Sequence, residues 1–147
     1  MDRGLAVALT AVTGGLVALQ APINSVLGRA VGTWQAAFFS FAIGTVALAL
    51  IAVLAQGGLG QLGEIRGLPW VYLSGGLLGA AYITSVLVTV RSLGAGGVVA
   101  ATIAGQLAVS VVVDQLGILG VAKQPITAAK IAGIALLAAG TYLVVRE

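Results

Sequence analysis

Long apolar stretches alternate with short polar or glycine-rich breaks along the whole chain. Four stretches contain no charged residue, namely residues 4–28, 30–63, 67–90 and 92–113. A helix needs about 20 apolar residues to cross a bilayer, so each stretch is long enough. The last stretch, 131–145, is shorter, but Lys130 lies about one turn inside a helix that we expect to begin at Pro125, and its ammonium can reach back to the interface. The pattern predicts five transmembrane helices, at residues 4–27, 34–55, 69–90, 97–116 and 125–145.

The breaks between these spans are marked by glycine or proline and are too short for another domain. They lie at residues 28–33, 57–67, 94–97 and 117–124. The chain is therefore expected to be one transmembrane domain over residues 1–147. The first span is too long for a cleaved signal peptide, and Gln20 and Asn24 interrupt its end. Aromatic residues that favour membrane interfaces lie near the span ends: Trp34, Trp70, Tyr72 and Tyr142.

Composition supports a membrane protein and excludes most enzyme chemistry. Hydrophobic residues make up 60% of the 147 residues, charged residues 7%, and the mean hydropathy is +1.15. A soluble domain carries charge on roughly a quarter of its residues. The chain has no Cys and no His, which argues against thiol nucleophiles, zinc sites and imidazole bases, so we expect no enzyme activity, cofactor or metal. The basic residues are single and far apart, which argues against nucleic acid.

The basic residues predict little preference between the two membrane orientations. Five spans place the termini on opposite sides, so Lys and Arg are summed on each side. The N-terminal side has Arg3, Arg66, Lys123 and Lys130, and the other side has Arg29, Arg91 and Arg146. This near balance predicts insertion in both orientations, or else one orientation with the N-terminus in the cytoplasm. A five-span chain offers one of the two inverted repeats that many transporters contain, so dual insertion would supply the second repeat in an antiparallel homodimer.

The first span has a polar stripe on one helical face. Its members are Thr10, Thr13, Gln20 and Asn24. Pro22 lies within this stripe, removes one backbone donor and frees the carbonyl of Ala18, which predicts a kink or break. Broken helices are typical of transporter binding sites. The alternative is that Gln20 and Asn24 only cross-link helices.

Further polar residues in the later spans extend this candidate site. They are Ser40 and Thr45 in the second span, Tyr82, Ser85 and Thr89 in the third, and Thr102 and Gln106 in the fourth. A single Ser or Thr in a membrane helix usually donates a hydrogen bond to its own backbone. The carboxamides and Tyr82 are therefore the stronger candidates for substrate binding. The predicted substrate-binding residues are Gln20, Asn24, Ser40, Tyr82 and Gln106.

Asp114 is the one carboxylate inside a predicted span. Such a group can bind a proton or a coupling cation, because an ionised residue in a membrane is costly without a function. It also lies close to Gly117, where it can reach the interface or pair with Lys123. The structural interpretation is favoured over ion coupling.

Small residues recur every four or seven positions in three spans. These residues are Gly75 and Gly79, then Gly97, Ala101 and Gly105, then Ala129, Gly133 and Gly140. Such faces let helices approach closely in lipid, and we expect one of them to form the dimer contact.

Five segments together give the chain a family likeness. Residues 20–28 read QAPINSVLG, 35–44 read QAAFFSFAIG, 105–108 read GQLA, 114–117 read DQLG and 132–136 read AGIAL. With these segments the chain resembles the drug/metabolite transporter superfamily, and within it the five-span YdcZ-like family. The resemblance implies an all-α bundle of five transmembrane helices, forming one inverted-repeat unit of a ten-helix transporter in the inner membrane. The related small multidrug resistance proteins use a glutamate in the first helix for proton exchange, and this chain has no acid within that helix beyond Asp2.

These observations predict a transporter, with export as the expected direction. The expected substrate is a small polar or amphipathic metabolite, moved by alternating access. The expected partners are that solute, membrane lipid and a second, antiparallel copy of the chain, or an oppositely oriented paralogue. A passive channel for a small solute and a non-transporting structural subunit of the membrane are the alternatives.

Overall fold

The computed structural model describes residues 2–146, and the regular elements among them are all helical. Four α-helices are present: α1 (Arg3–Val31), α2 (Thr33–Gln56), α3 (Gly75–Leu116) and α4 (Ala128–Val145). Two short 3₁₀ helices, Gly60–Gly67 and Trp70–Leu73, connect α2 to α3.

Helix α1 is longer than the sequence predicts. The Asp2 carboxylate caps it by accepting hydrogen bonds from the backbone N–H groups of Gly4 (2.9 Å) and Leu5 (3.3 Å). The chain stays helical through Pro22, so the backbone is not broken there. Helix α1 ends at Val31 and is followed by Gly32, whose φ of 91° favours glycine, and this one residue replaces the longer predicted break at 28–33.

Helix α3 contains the predicted third and fourth spans, separated by a single residue. Gly94 has φ 67° and ψ 170°, a conformation outside the helical region that is nearly exclusive to glycine. It divides α3 into a first segment (residues 75–93) and a second segment (residues 95–116). The first segment begins six residues after the predicted start at Pro69, because residues 70–73 form a 3₁₀ helix.

Helix α4 begins at Ala128, so the predicted start at Pro125 is wrong by three residues. The Thr127 side chain accepts a hydrogen bond from the Lys130 backbone N–H (3.2 Å) and caps the helix. The preceding loop is tied to the end of α3. Gln124 donates its N–H to the Asp114 carbonyl (2.8 Å), and Ile126 donates its N–H to Gln115 Oε1 (2.7 Å). This network keeps residues 124–126 outside the helix.

The apolar residues of the four helices point mainly outward. Leu54 and Leu136 are 85% and 74% exposed, and α4 has no buried residue among those described. All four helices are long and apolar enough to cross a membrane. The two segments of α3 have lengths of about 28 and 33 Å, so each can cross a hydrocarbon core of about 30 Å. The chain is therefore an all-α membrane protein with apolar helices that face lipid.

The chain forms two compact units, Met1–Arg91 and Ser92–Glu147. The first unit contains α1, α2 and residues 75–91 of α3, which is all but the last two residues of its first segment. Its small core consists of Ala36, Ala37, Ile83 and Leu87, with Leu27 packed against them. The second unit contains the second segment of α3 and α4.

Candidate functional site

In the first unit the structure brings two predicted site residues into contact. Asn24 on α1 donates a hydrogen bond from Nδ2 to the Ser40 Oγ on α2 (3.2 Å). Asn24 is only 5% exposed, so this bond satisfies a carboxamide that has almost no access to solvent. The bond links α1 to α2.

The packing around Asn24 depends on a close approach at Gly28. A Cβ atom at Gly28 would lie 3.4 Å from Leu87 Cδ2 and 3.8 Å from Ala36 Cβ. At Gly28, α1 therefore packs against both α2 and the first segment of α3 at ordinary van der Waals distances. Gly28 is buried, so solvent is excluded one turn after Asn24.

A groove beside this contact has a volume of about 720 Å³. Residues of α2 and of the first segment of α3 line it: Trp34, Ala37, Phe38, Phe41, Leu77, Ala80, Ala81, Thr84 and Ser85. The three aromatic residues follow each other at spacings of four and three, so they share one face of α2. The Thr84 and Ser85 hydroxyls donate to the carbonyls of Ala80 and Ala81 in their own helix, both at 2.8 Å. The groove surface is thus dominated by rings and methyl groups.

None of the five predicted substrate residues lines this groove, and Asn24 and Ser40 bond to each other outside its lining. Gln20 is exposed on α1, and Tyr82 is half-buried on the first segment of α3. Gln106 is exposed in the second unit. Ser85 was predicted to share the face of Tyr82, and it does line the groove.

The aromatic lining of the groove was not recognised from the sequence. The sequence predicts only an interfacial position for Trp34 and assigns no site role to Phe38 or Phe41. Their helical spacing was visible in the sequence, but three aromatic residues on one apolar face are also typical of lipid-facing surface. The first segment of α3 supplies the second wall, and this pairing required the tertiary structure.

The prediction that Ser and Thr hydroxyls bond to their own helix is confirmed at several positions. Besides Thr84 and Ser85, the residues that donate to a carbonyl four residues earlier are Thr10, Thr13, Thr45 and Thr89. Thr141 also donates to the Ala100 carbonyl (3.0 Å), which joins α4 to the second segment of α3. Most hydroxyls of the polar stripes therefore have a backbone partner already.

In the second unit Asp114 pairs with Lys130 rather than with Lys123. Lys130 Nζ lies 3.7 Å from Asp114 Oδ2, and the two side chains are 28% and 30% exposed. The Nζ atom itself is buried and has no hydrogen-bond partner among the described residues, so Asp114 is its charge partner. The carboxylate draws the ammonium toward α3 because opposite charges attract strongly where water is scarce.

The small residues divide into those that pack within the chain and those that do not. A Cβ at Gly79 would lie 3.2 Å from Phe41 Cζ, and a Cβ at Gly97 would lie 3.4 Å from Val145 Cγ2. By contrast, Gly105, Gly133 and Gly140 have open space around them in the described part of the chain.

A comparison with protein families identifies one match over almost the whole chain. Residues 5–143 match a family described as "Putative inner membrane exporter, YdcZ". No curated protein and no solved structure matches the chain.

Proposed function

Because the chain belongs to the YdcZ family of inner membrane exporters, we propose that it exports a small amphipathic solute by alternating access. The groove lined by Trp34, Phe38 and Phe41 is the observation that supports this substrate class. Pockets that bind small molecules are mainly apolar and aromatic, with few polar groups that fix orientation. In this groove the lining has no charged residue.

The groove favours the apolar part of an amphipathic solute over a strongly charged ion. Its two hydroxyl groups already donate to backbone carbonyls, so aromatic stacking and dispersion are the main interactions on offer. The polar part of the solute is assigned to Gln20 and Tyr82 of the same unit, and Gln106 in the second unit stays a prediction from the sequence. Asn24 and Ser40 act beside the groove by holding α1 on α2, which fixes one wall of the site.

The proposed working unit is an antiparallel pair of chains. Gln20 and Gln106 are exposed on helices that also expose many large apolar side chains. A carboxamide that faces hydrocarbon is costly, so a second copy or an oppositely oriented paralogue is expected to cover these side chains. The open faces at Gly133 and Gly140 allow close contact with another helix. Two such chains supply the two inverted repeats of an alternating-access transporter.

The test uses the purified chain in proteoliposomes with a panel of neutral aromatic solutes that each carry one polar group. We expect saturable counterflow, in which solute inside the vesicle accelerates uptake of labelled solute from outside. Phe38→Ala removes one ring from the groove and is expected to raise the half-saturation concentration about five- to thirteenfold, as the loss of roughly 1–1.5 kcal/mol of ring contact implies. Leu48→Ala, an exposed apolar residue of α2 outside the groove, is the matched control.

Other results would favour the alternatives. Flux that does not saturate and shows no counterflow indicates a passive channel. If no solute in the panel is transported or changes thermal stability, the non-transporting subunit is favoured. If Phe38→Ala and Leu48→Ala change the half-saturation concentration equally, the proposal that the groove is the substrate-binding site is contradicted.

A further inference from the structure

We propose that Asp114 removes Lys130 from the charge balance that sets membrane orientation, leaving equal numbers of effective basic residues on the two sides. This inference rests on the proposed antiparallel assembly, since it explains how one chain can insert in both orientations. It concerns a role of the ion pair that is separate from solute binding.

By length and composition α4 is a candidate membrane span, and Lys130 lies in its first turn. The helix has 18 residues and is therefore about 27 Å long, slightly less than a hydrocarbon core of about 30 Å. Lys130 is the third residue of α4, so the helix cannot cross the membrane without it. An ammonium at this depth must either reach the surface or be neutralised.

The structure places a carboxylate next to this ammonium, which supports neutralisation. Lys130 Nζ is buried and lies 3.7 Å from Asp114 Oδ2, although the rest of its side chain is partly exposed. The approach is fixed by the surrounding backbone, because Gln124 bonds to the Asp114 carbonyl and Thr127 bonds to the Lys130 N–H. The ammonium therefore adds no net charge at the membrane surface.

Lys123 provides a direct contrast on the same predicted side. It lies in the loop between α3 and α4, and its side chain is exposed. The positive-inside rule counts lysines and arginines near span ends and gives little weight to acidic residues. By that rule alone the N-terminal side has one more basic residue than the other. Without Lys130 each side has three, the N-terminal side keeping Arg3, Arg66 and Lys123.

The experiment measures orientation through a cysteine added after Glu147, since the chain has no Cys. A membrane-impermeant maleimide labels this cysteine from outside the cell, and permeabilised cells give the total. Lys123→Gln lowers the positive charge on the N-terminal side, so we expect the C-terminus to move inward and the outside-labelled fraction to fall. Lys130→Gln is expected to leave this fraction unchanged.

Asp114→Asn tests the role of the carboxylate. Without its partner, the Lys130 ammonium is expected to reach the membrane surface and add to the positive charge on the N-terminal side. The outside-labelled fraction should therefore rise. The double variant Asp114→Asn with Lys130→Gln should return to the wild-type fraction. The proposal is overturned if Lys130→Gln shifts orientation as much as Lys123→Gln, or if Asp114→Asn has no effect.

Failure of this inference is distinguishable from failure of the proposed function. Wild-type labelling from one side only would contradict the single-chain antiparallel assembly. The same variants would then be compared in a chain with one further loop charge removed, such as Arg66→Gln, to obtain mixed orientation. If Lys123→Gln changes the outside-labelled fraction in that chain more than Lys130→Gln does, the inference is still supported. If no replacement changes the outside-labelled fraction, the inference is contradicted.

Discussion

Asn24 is buried in a chain with very few buried residues, and its carboxamide needs a partner there. Ser40 supplies that partner across the α1–α2 contact. Hydrogen bonds between membrane helices average about 0.6 kcal/mol and reach about 1.7 kcal/mol. This free energy is modest because the unfolded chain in a membrane also finds polar partners.

A double-mutant cycle with Ser40→Ala and Asn24→Ala measures this bond. We expect a coupling free energy of about 0.6–1.7 kcal/mol in unfolding experiments in mixed detergent micelles. Thr45→Ala is the control, because that hydroxyl is exposed and donates only to Phe41 of its own helix. Its effect should stay within about 0.5 kcal/mol. Additive single effects at Asn24 and Ser40 would show that the bond does not stabilise the protein.

At the scale of secondary-structure elements, glycines determine where helices stop and how closely they pack. Gly94 ends the first segment of α3 in a conformation that other residues rarely adopt. Gly97 lies opposite the end of α4, where Val145 packs against it. Within the second unit, the two helices are joined near one end by the packing of Gly97 against Val145 and by the hydrogen bond from Thr141 to Ala100. Near the other end they are joined by the Asp114–Lys130 ion pair.

Gly94→Ala is expected to destabilise the protein by about 1–3 kcal/mol, because a Cβ atom is strained at φ 67° and ψ 170°. The unfolding midpoint in detergent measures the change. Gly96→Ala serves for comparison, since its Cβ would meet Val144 Cγ1 at an ordinary distance of 4.0 Å. Equal midpoints for the two variants would contradict the strained conformation at Gly94.

Gly97→Val tests the packing of α4 on the second segment of α3. The added Cβ would lie 3.1 Å from Leu93 Cβ and 3.4 Å from Val145 Cγ2, so the larger valine side chain overpacks this site, which typically costs about 1–3 kcal/mol. Gly133→Val makes the same chemical change at a position with open space around it. We expect lower thermal stability for the first variant than for the second in a monomeric, detergent-solubilised preparation. The reverse order would contradict this packing.

At the scale of the whole molecule, one chain provides little core of its own and many outward apolar side chains. Lipid covers most of them, and a second inverted chain is the proposed partner for the polar ones. This arrangement means that neither orientation alone forms a complete transporter.

Two chains with fixed, opposite orientations test the assembly. One variant has added lysines in the loop of residues 57–67, and the other lacks Arg66 and Lys123, which biases the two chains in opposite directions. We expect each alone to transport no solute, and the two together to restore counterflow in proteoliposomes. Co-expression of two copies biased the same way is the control. Full transport by either variant alone would contradict the antiparallel pair.

The sequence by itself determined the class of the protein and most of its helices. Charge-free runs of about 20 residues can form stable structure only as membrane helices, so spans and breaks follow from composition and length. Only the tertiary structure decided the side-chain partners: Asn24 with Ser40, Lys130 with Asp114, and the aromatic face of α2 with α3. These contacts depend on how helices rotate about their axes and pack, and hydropathy gives no measure of that rotation.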